Sequence, residues 1–338
     1  MKYDTAQHLT ERYLFCIEKF FIICYNSVMG NDTVIGRFAP TPSGFMHAGN
    51  LLCAVIAYLS AKSKGGKFII RIEDLDALRC PKSAALDIIE TLRAFGIESD
   101  EPIVWQSERT AAYKAAVDLL RTRAELYPCY CSRAELHAPE ITRLPDGGIL
   151  YPKTCKSLSA AQIAEKEERG IKPSLRISAP DEVITFTDGI MGERSQNLAT
   201  ACGDFILRRS DGVYAYQLAV VVDDGESGVT EVVRGADLLY DTPRQIYLQR
   251  LLGLPSPKYF HIPLVCDASG RKLSKSEGDS AKQLLKTHTP QQIIGALAFA
   301  ANIIDEPRPM DLDSLIPLYS VDKVPKEIRF NSEFGMRN

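Results

Sequence analysis

The sequence predicts an α/β protein on a doubly wound, Rossmann-like parallel sheet, and three features carry that reading. Buried-type strands alternate with helical stretches, which implies crossover connections and a parallel sheet. A turn rich in proline and glycine joins the first strand directly to a helix, where such sheets hold ligands beyond the carboxyl ends of their strands. A composition of 45% hydrophobic and 25% charged residues in 338 supports a sizeable core.

Thr33–Ala39 reads as the first strand, Pro40, Pro42, Ser43 and Gly44 as the turn, and Asn50–Ser63 as an apolar helix. Lys67–Ile72 is a second strand ending in Glu73, Asp74 and Asp76. Pro81–Phe95 opens with proline and sets Ala85, Ile88, Ile89, Leu92 and Phe95 on one helical face. From about Leu126 to Ala201 short polar segments replace the alternation, which reads as an insertion. Asp204–Arg208 and Val213–Val222 then read as two strands around the turn Ser210-Asp211-Gly212. A helix at Thr242–Leu252, a strand at Tyr259–Val265, further helical residues and a proline-containing tail follow.

The expected division is therefore 1–32 as an N-terminal extension, 33–125 as the first half of a nucleotide-binding fold and 126–201 as an inserted subdomain. Residues 202–290 form the second half, and 291–338 a short C-terminal helical region and tail. The extension carries no assignable motif; it reads either as an added helix or as sequence upstream of a true start at Met29. Its apolar stretch Phe20–Tyr25 is too short to span a bilayer, and no membrane partner is expected. Nine cysteines, an odd number, without a secretory leader point to reduced thiols in a cytoplasmic protein. With a net charge of -3, any RNA contact requires a local basic surface.

Two segments carry phosphate chemistry. Pro40-Thr41-Pro42-Ser43-Gly44 runs into His47-Ala48-Gly49-Asn50, and the start of a helix offers unpaired N–H groups to phosphate oxygens. His47 reads either as a phosphate donor or as a simple helix cap. Later, Asp267-Ala268-Ser269-Gly270 precedes Lys272 and Lys275, whose ammonium groups suit the negative charge that builds as pyrophosphate departs; a solvated charged face is the plainer alternative. Arg37 on the first strand and Glu73 at the end of the second are a candidate cation and acceptor for an amino acid, or a structural ion pair. Arg234 lies between valines and Gly235, where an unpaired charge is costly, so it wants an anion; Asp237 is one possible partner. Tyr216 alone reads as a core aromatic. Cys129, Cys131 and Cys155, with Tyr151, supply three thiolates and a phenol for a four-ligand metal site. On spacing alone His137 is another fourth ligand, and a metal-free loop is the alternative.

The pair HAGN and KLSKS (Lys272–Ser276) resembles the HIGH and KMSKS signatures of class I aminoacyl-tRNA synthetases, over about Val34 to Lys326. Asn50 replaces the second histidine of the first signature, a departure that glutamyl enzymes share. RFAPTPSG, RIEDLD followed by Arg79, WQSER, AYQLAVVVDD and VVRGADLL are similar to the glutamyl branch. The resemblance implies that Arg37, Ala39, Thr41, Glu73, Tyr216 and Arg234 bind glutamate. It also implies that Pro42, Ser43, Gly44, His47, Gly49, Asn50 and Lys275 bind ATP with Mg2+, with His47, Lys272 and Lys275 catalytic. The C-x-C, Y-x-x-x-C arrangement is similar to that of the glutamyl-queuosine branch, which implies a structural zinc ion on Cys129, Cys131, Tyr151 and Cys155. About sixty residues after KLSKS leave too little chain for the helical anticodon-binding region of full glutamyl enzymes. The resemblance therefore implies tRNA-independent activation of L-glutamate and transfer to queuosine in tRNA(Asp); a monomer is expected. Another adenylate-forming ligase and a tRNA-binding relative without catalysis are the alternative readings.

Overall fold

The structure is a computed structural model, and it describes residues 33–144, 147–266 and 280–329. The N-terminal extension and the KLSKS motif lie outside the described residues. The first half contains β1 (Ile35–Phe38), α1 (Ala48–Lys62), β2 (Lys67–Ile72), α2 (Lys82–Ala94), β3 (Val104–Trp105) and α3 (Thr110–Arg123). Next come β4 (Leu126–Cys129), α4 (Arg133–Leu136), α5 (Ala160–Glu168), β5 (Ser174–Ile177), β6 (Val183–Asp188), β7 (Gly192–Asn197) and α6 (Leu198–Ala201). The second half has β8 (Phe205–Arg208), α7 (Tyr216–Glu226), β9 (Glu231–Gly235), α8 (Thr242–Leu252), β10 (Lys258–Ile262) and β11 (Val265–Cys266). It ends with α9 (Ala281–Leu284), α10 (Pro290–Ala300), α11 (Leu312–Leu315) and β12 (Ile328–Arg329).

The main sheet has the order β3-β2-β1-β9-β10-β6-β7 and is parallel except for the β6–β7 hairpin. The period of two along each strand divides its side chains between two cores. Phe68, Ile70, Val233, Phe260 and Ile262 pack with residues of α1, α2 and α10, whereas Ile69, Val232 and Tyr259 pack with Ile246 of α8. Helices thus cover both faces, as a doubly wound sheet requires. Helix α1 is buried nearly all round, with Leu51, Leu52, Val55, Ile56 and Leu59 inaccessible, so truncating one of these to alanine is expected to cost about 2–5 kcal/mol.

Three expectations need correction. Val213–Val222 is not a strand: helix α7 starts at Tyr216. A continuous apolar run buried on every side carries no period to separate the two states, and Leu218–Asp224 are all buried. The strand expected at Tyr259–Val265 breaks at Pro263, and the short β11 pairs instead with β12. Sheet pairing also crosses the boundary drawn at residue 201. The hairpin β6–β7, inside 126–201, extends the main sheet, while β8, beyond it, completes a three-stranded antiparallel sheet with β4 and β5. Helix α10 and Leu315 pack into the α1 core, so the C-terminal region extends the main fold. None of the described helices is long and apolar enough to cross a membrane.

Candidate active site

The β1–α1 turn shapes one end of a cavity of about 710 Å³ lined by Arg37, Ala39, Thr41, Gly44, His47, Gly49, Asn50, Glu73, Tyr216 and Arg234. That volume suits a nucleotide or a cofactor-sized ligand. His47 is the N-cap of α1: its Nδ1 accepts from the Asn50 backbone N–H at 3.3 Å, and the Asn50 side-chain oxygen accepts from the His47 N–H at 3.4 Å. A neutral imidazole accepting at Nδ1 carries its proton on Nε2, so capping and phosphate donation are compatible roles of one ring. Gly49 gives that ring its place, since a Cβ there would come within 3.0 Å of His47 Cε1. Ser280 bridges to His47 in antiparallel fashion and Ala281 donates its N–H to the Met46 carbonyl at 2.7 Å. Val265 lines the same cavity, with its Cγ2 3.6 Å from where a Cβ on Gly49 would sit. Both flanks of the segment that contains Lys272 and Lys275 therefore reach the β1–α1 turn.

Arg37, Arg71, Arg234 and His261 alternate with the apolar residues of β1, β2, β9 and β10, and so form a polar layer at the carboxyl ends on the α7–α8 side. Arg37 and Glu73 do not pair with each other. Arg37 Nε donates to Asp224 of α7 at 3.2 Å and its Nη1 to the Val233 carbonyl at 3.3 Å. Arg71 bridges Asp224 at 2.5 Å and Glu73 at 3.2 Å, and Glu73 accepts from Thr41 Oγ1 at 3.3 Å. Burial pushes the Asp224 carboxyl up, but Arg37 and Arg71 outweigh it and hold the group below its ordinary range. For Glu73 burial prevails over Arg71 and Arg37, and its carboxyl is raised. Neighbouring Asp223 collects Gln106, Tyr113 and Arg109, at 2.7, 2.9 and 2.5 Å, which ties the WQSER segment to α7.

Arg234 is 5% exposed and hydrogen-bonds only to neutral groups among the described residues. Its Nε donates to His261 Nε2 at 3.0 Å, Nη1 to Gln245 Oε1 at 2.8 Å and Tyr216 Oη at 3.4 Å, and Nη2 to Thr242 Oγ1 at 2.9 Å. Asp237, the partner considered from sequence, is not among these contacts. Tyr216, expected in the core when read alone, is instead a half-buried residue of the cavity wall, because it opens α7 rather than lying inside a strand.

Some distance along the chain, Cys129, Cys131 and Cys155 place their sulfurs within 4.8 Å of one another, an arrangement able to hold a metal ion. Tyr151 Oη lies 3.3 Å from Cys129 Sγ and 3.7 Å from Cys131 Sγ, and Cys131 and Cys155 are 3.6 Å apart. Tetrahedral zinc with bonds of about 2.3 Å to sulfur sets sulfurs about 3.8 Å apart, so these separations fit such an ion. His137 is not in the group; its Nδ1 faces Arg143. Arg176 lies 3.8 Å over the Tyr151 ring, and although burial pushes the Cys129 thiol up, Tyr151 and Arg176 bring it below its ordinary value.

Residues 33–294 match the family of class I tRNA synthetases (E and Q), catalytic domain. The chain is 44% identical over 306 residues to a glutamyl-Q tRNA(Asp) synthetase of Symbiobacterium thermophilum, covering 86% of this chain and 94% of that one. It belongs to the glutamyl-Q tRNA(Asp) synthetase family. A member from Thiobacillus denitrificans is 49% identical over 249 residues, 73% of this chain and 79% of that protein. Among solved structures, the glutamate-tRNA synthetase of Elizabethkingia anophelis superposes with a TM-score of 0.79 at 27% identity, over 90% of this chain and 69% of that one.

Within this family fold, ten of the twelve described residues expected to bind glutamate or ATP line one cavity, while Pro42 and Ser43 belong to the turn without lining it. Lys272 and Lys275 lie outside the described residues. Sequence reasoning missed Arg71, which holds Glu73, and Asp224, Asp188, Thr242, Gln245 and His261, which fix Arg37 and Arg234 from behind. One signal was available: the run Leu218–Val222 ends in Asp223 and Asp224, and two acids closing a buried run demand basic partners.

Proposed function

We propose that the protein activates L-glutamate with ATP, without tRNA, and transfers the glutamyl group to the queuosine base in the anticodon of tRNA(Asp). The carrying observation is Arg234, a buried guanidinium bonded to neutral groups, on the wall of the same cavity as the phosphate turn. A desolvated cation of this kind is suited to a substrate carboxylate. Arg234 and Tyr216 bind glutamate. Arg37, already compensated by Asp224, contributes N–H donors more than net charge, and Glu73 with Thr41, beside the Ala39 backbone, receives the ammonium group. The names of the relatives support queuosine as acceptor.

The glutamate α-carboxylate attacks the α-phosphorus of Mg-ATP and pyrophosphate leaves; a queuosine hydroxyl then attacks the acyl carbon and AMP leaves. Pro42, Ser43, Gly44, Gly49 and Asn50 cradle the phosphates, and His47 Nε2, with Lys272 and Lys275, stabilises the charge that develops. Proximity on the enzyme supplies much of the second step. Zinc on Cys129, Cys131, Tyr151 and Cys155 is structural and supplies no chemistry to the reaction. Thiolate ligation and a tRNA substrate support a reducing, cytoplasmic setting, and a cavity built within one chain supports a monomer, which light scattering tests.

The decisive assay is pyrophosphate exchange with a panel of amino acids in the absence of tRNA, followed by glutamate transfer to tRNA(Asp) with and without queuosine. Exchange with glutamate alone and transfer only to queuosine-containing tRNA(Asp) are expected. Equal labelling of both tRNAs, or charging of tRNA(Glu) at its 3′ end, would sink the proposal.

A further inference from the structure

Behind Arg234 stands a relay that the reaction itself does not require. His261 is fully buried in β10, directly opposite Arg234 of β9 in register. Its Nδ1 lies 2.6 Å from Asp188 Oδ2, at the end of β6, and its Nε2 lies 3.0 Å from Arg234 Nε. Asp188 is fixed in turn by the backbone N–H groups of Ile190 and Met191, at 3.0 and 2.8 Å, and by the N–H of His261. Three strands thus converge on a single guanidinium.

The bonding pattern assigns the tautomer. An ionised Asp188 can only accept, so Nδ1 carries the proton and the Nε2 lone pair faces the Arg234 N–H. The opposite tautomer would set N–H against N–H. Burial and the nearby Arg234 charge hold the imidazole below its ordinary pKa despite Asp188, in keeping with a neutral ring. Thr242 and Gln245 occupy Nη2 and Nη1, so the guanidinium can neither rotate nor slide.

We infer that Asp188 and His261 are positioning residues that aim Arg234 at the substrate carboxylate without neutralising it. A carboxylate bonded directly to Arg234 would compete with the substrate for the same donors. An interposed neutral imidazole uses only Nε, fixes the plane, and leaves the positive charge without a directly bonded carboxylate among the described residues. The arrangement follows the general logic in which a supporting shell orients the group that binds.

The inference rests on the reading of Arg234 as the glutamate-binding cation, and the test separates the two. Pyrophosphate exchange without tRNA is measured for wild type, His261→Leu, His261→Gln and Arg234→Lys, with KM determined for glutamate and ATP. Leucine removes the acceptor while filling much of the imidazole's space, and should raise the glutamate KM by about tenfold, the change one charge-assisted hydrogen bond supports. The ATP KM should stay within about twofold, since uniform damage would move both constants together. Glutamine can present Oε1 to Arg234 and should recover most of the loss. If His261→Leu does not fold, Asp188→Asn, which keeps the side-chain size and frees the imidazole to adopt the wrong tautomer, should raise the glutamate KM alone. Equal effects of leucine and glutamine, or parallel changes in both KM values, overturn the positioning role. An unchanged glutamate KM in Arg234→Lys overturns the reading of Arg234 itself.

Discussion

At the scale of single residues, Asp224 anchors two of the buried cations, Arg37 and Arg71. Asp224→Asn keeps the shape but leaves two guanidinium groups sharing one fewer carboxylate. Stability should fall by about 3–5 kcal/mol, the loss typical of breaking a buried ion pair, as read by denaturant unfolding. The sign with pH follows: the Asp224 carboxyl is depressed in the fold, so its contribution is present above its unfolded value and is lost as pH falls through the folded one. His261 acts in the same direction at milder pH. Its folded value lies below the unfolded 6.5, so between the two only the unfolded chain takes up the proton, and stability drops as pH falls below 6.5. Glu73, raised by burial, has the opposite sign. The His261 part is therefore the difference between wild type and His261→Gln, which should lose its acid-side slope in thermal melts from pH 7.5 to 5, a range set by the reference value of about 6.5.

At the scale of elements, the short turn from β1 into α1 serves two ends. His47 and Asn50 cap the helix reciprocally, and His47 also lines the cavity. Gly49→Ala separates fold from function, because alanine favours a helix over glycine by about 1 kcal/mol while its Cβ would press the His47 ring. Melting temperature should hold or rise, whereas kcat for pyrophosphate exchange should fall by about 10–100-fold, a loss in the range of a misplaced charge-stabilising donor. Equal kcat in the two proteins would remove His47 from the chemistry. Helix α7 shows the other side of element reading. Its apolar run matched a strand because burial on all sides erases the helical period; as a helix it sets Tyr216 on the cavity wall and Asp223 and Asp224 towards the arginines.

At the scale of the molecule, the three-stranded sheet of β4, β5 and β8 stands beside the cysteine cluster, since Cys129 ends β4 and Arg176 of β5 covers Tyr151. Purified protein should carry about one equivalent of zinc by metal analysis, the stoichiometry of one tetrahedral site. Tyr151→Phe should weaken zinc binding in chelator competition, and chelation should lower the melting temperature while the glutamate KM changes little. Less than about half an equivalent of zinc would exclude the structural site.

The sequence by itself determined the alternation of strands and helices, the proline- and glycine-rich turn that runs into a helix, the spacing of Cys129, Cys131, Tyr151 and Cys155, and the placing of Arg37 on the first strand, because each is a local pattern in which period, turn chemistry or residue type speaks directly. Tertiary structure decided how β6, β7 and β8 divide between two sheets, which carboxylate serves which arginine, and that Arg234 donates, among the described residues, only to neutral acceptors. Those outcomes depend on residues far apart in the chain: Asp188, Arg234 and His261 meet only when three strands align, and the energy of a buried charge is set by that meeting.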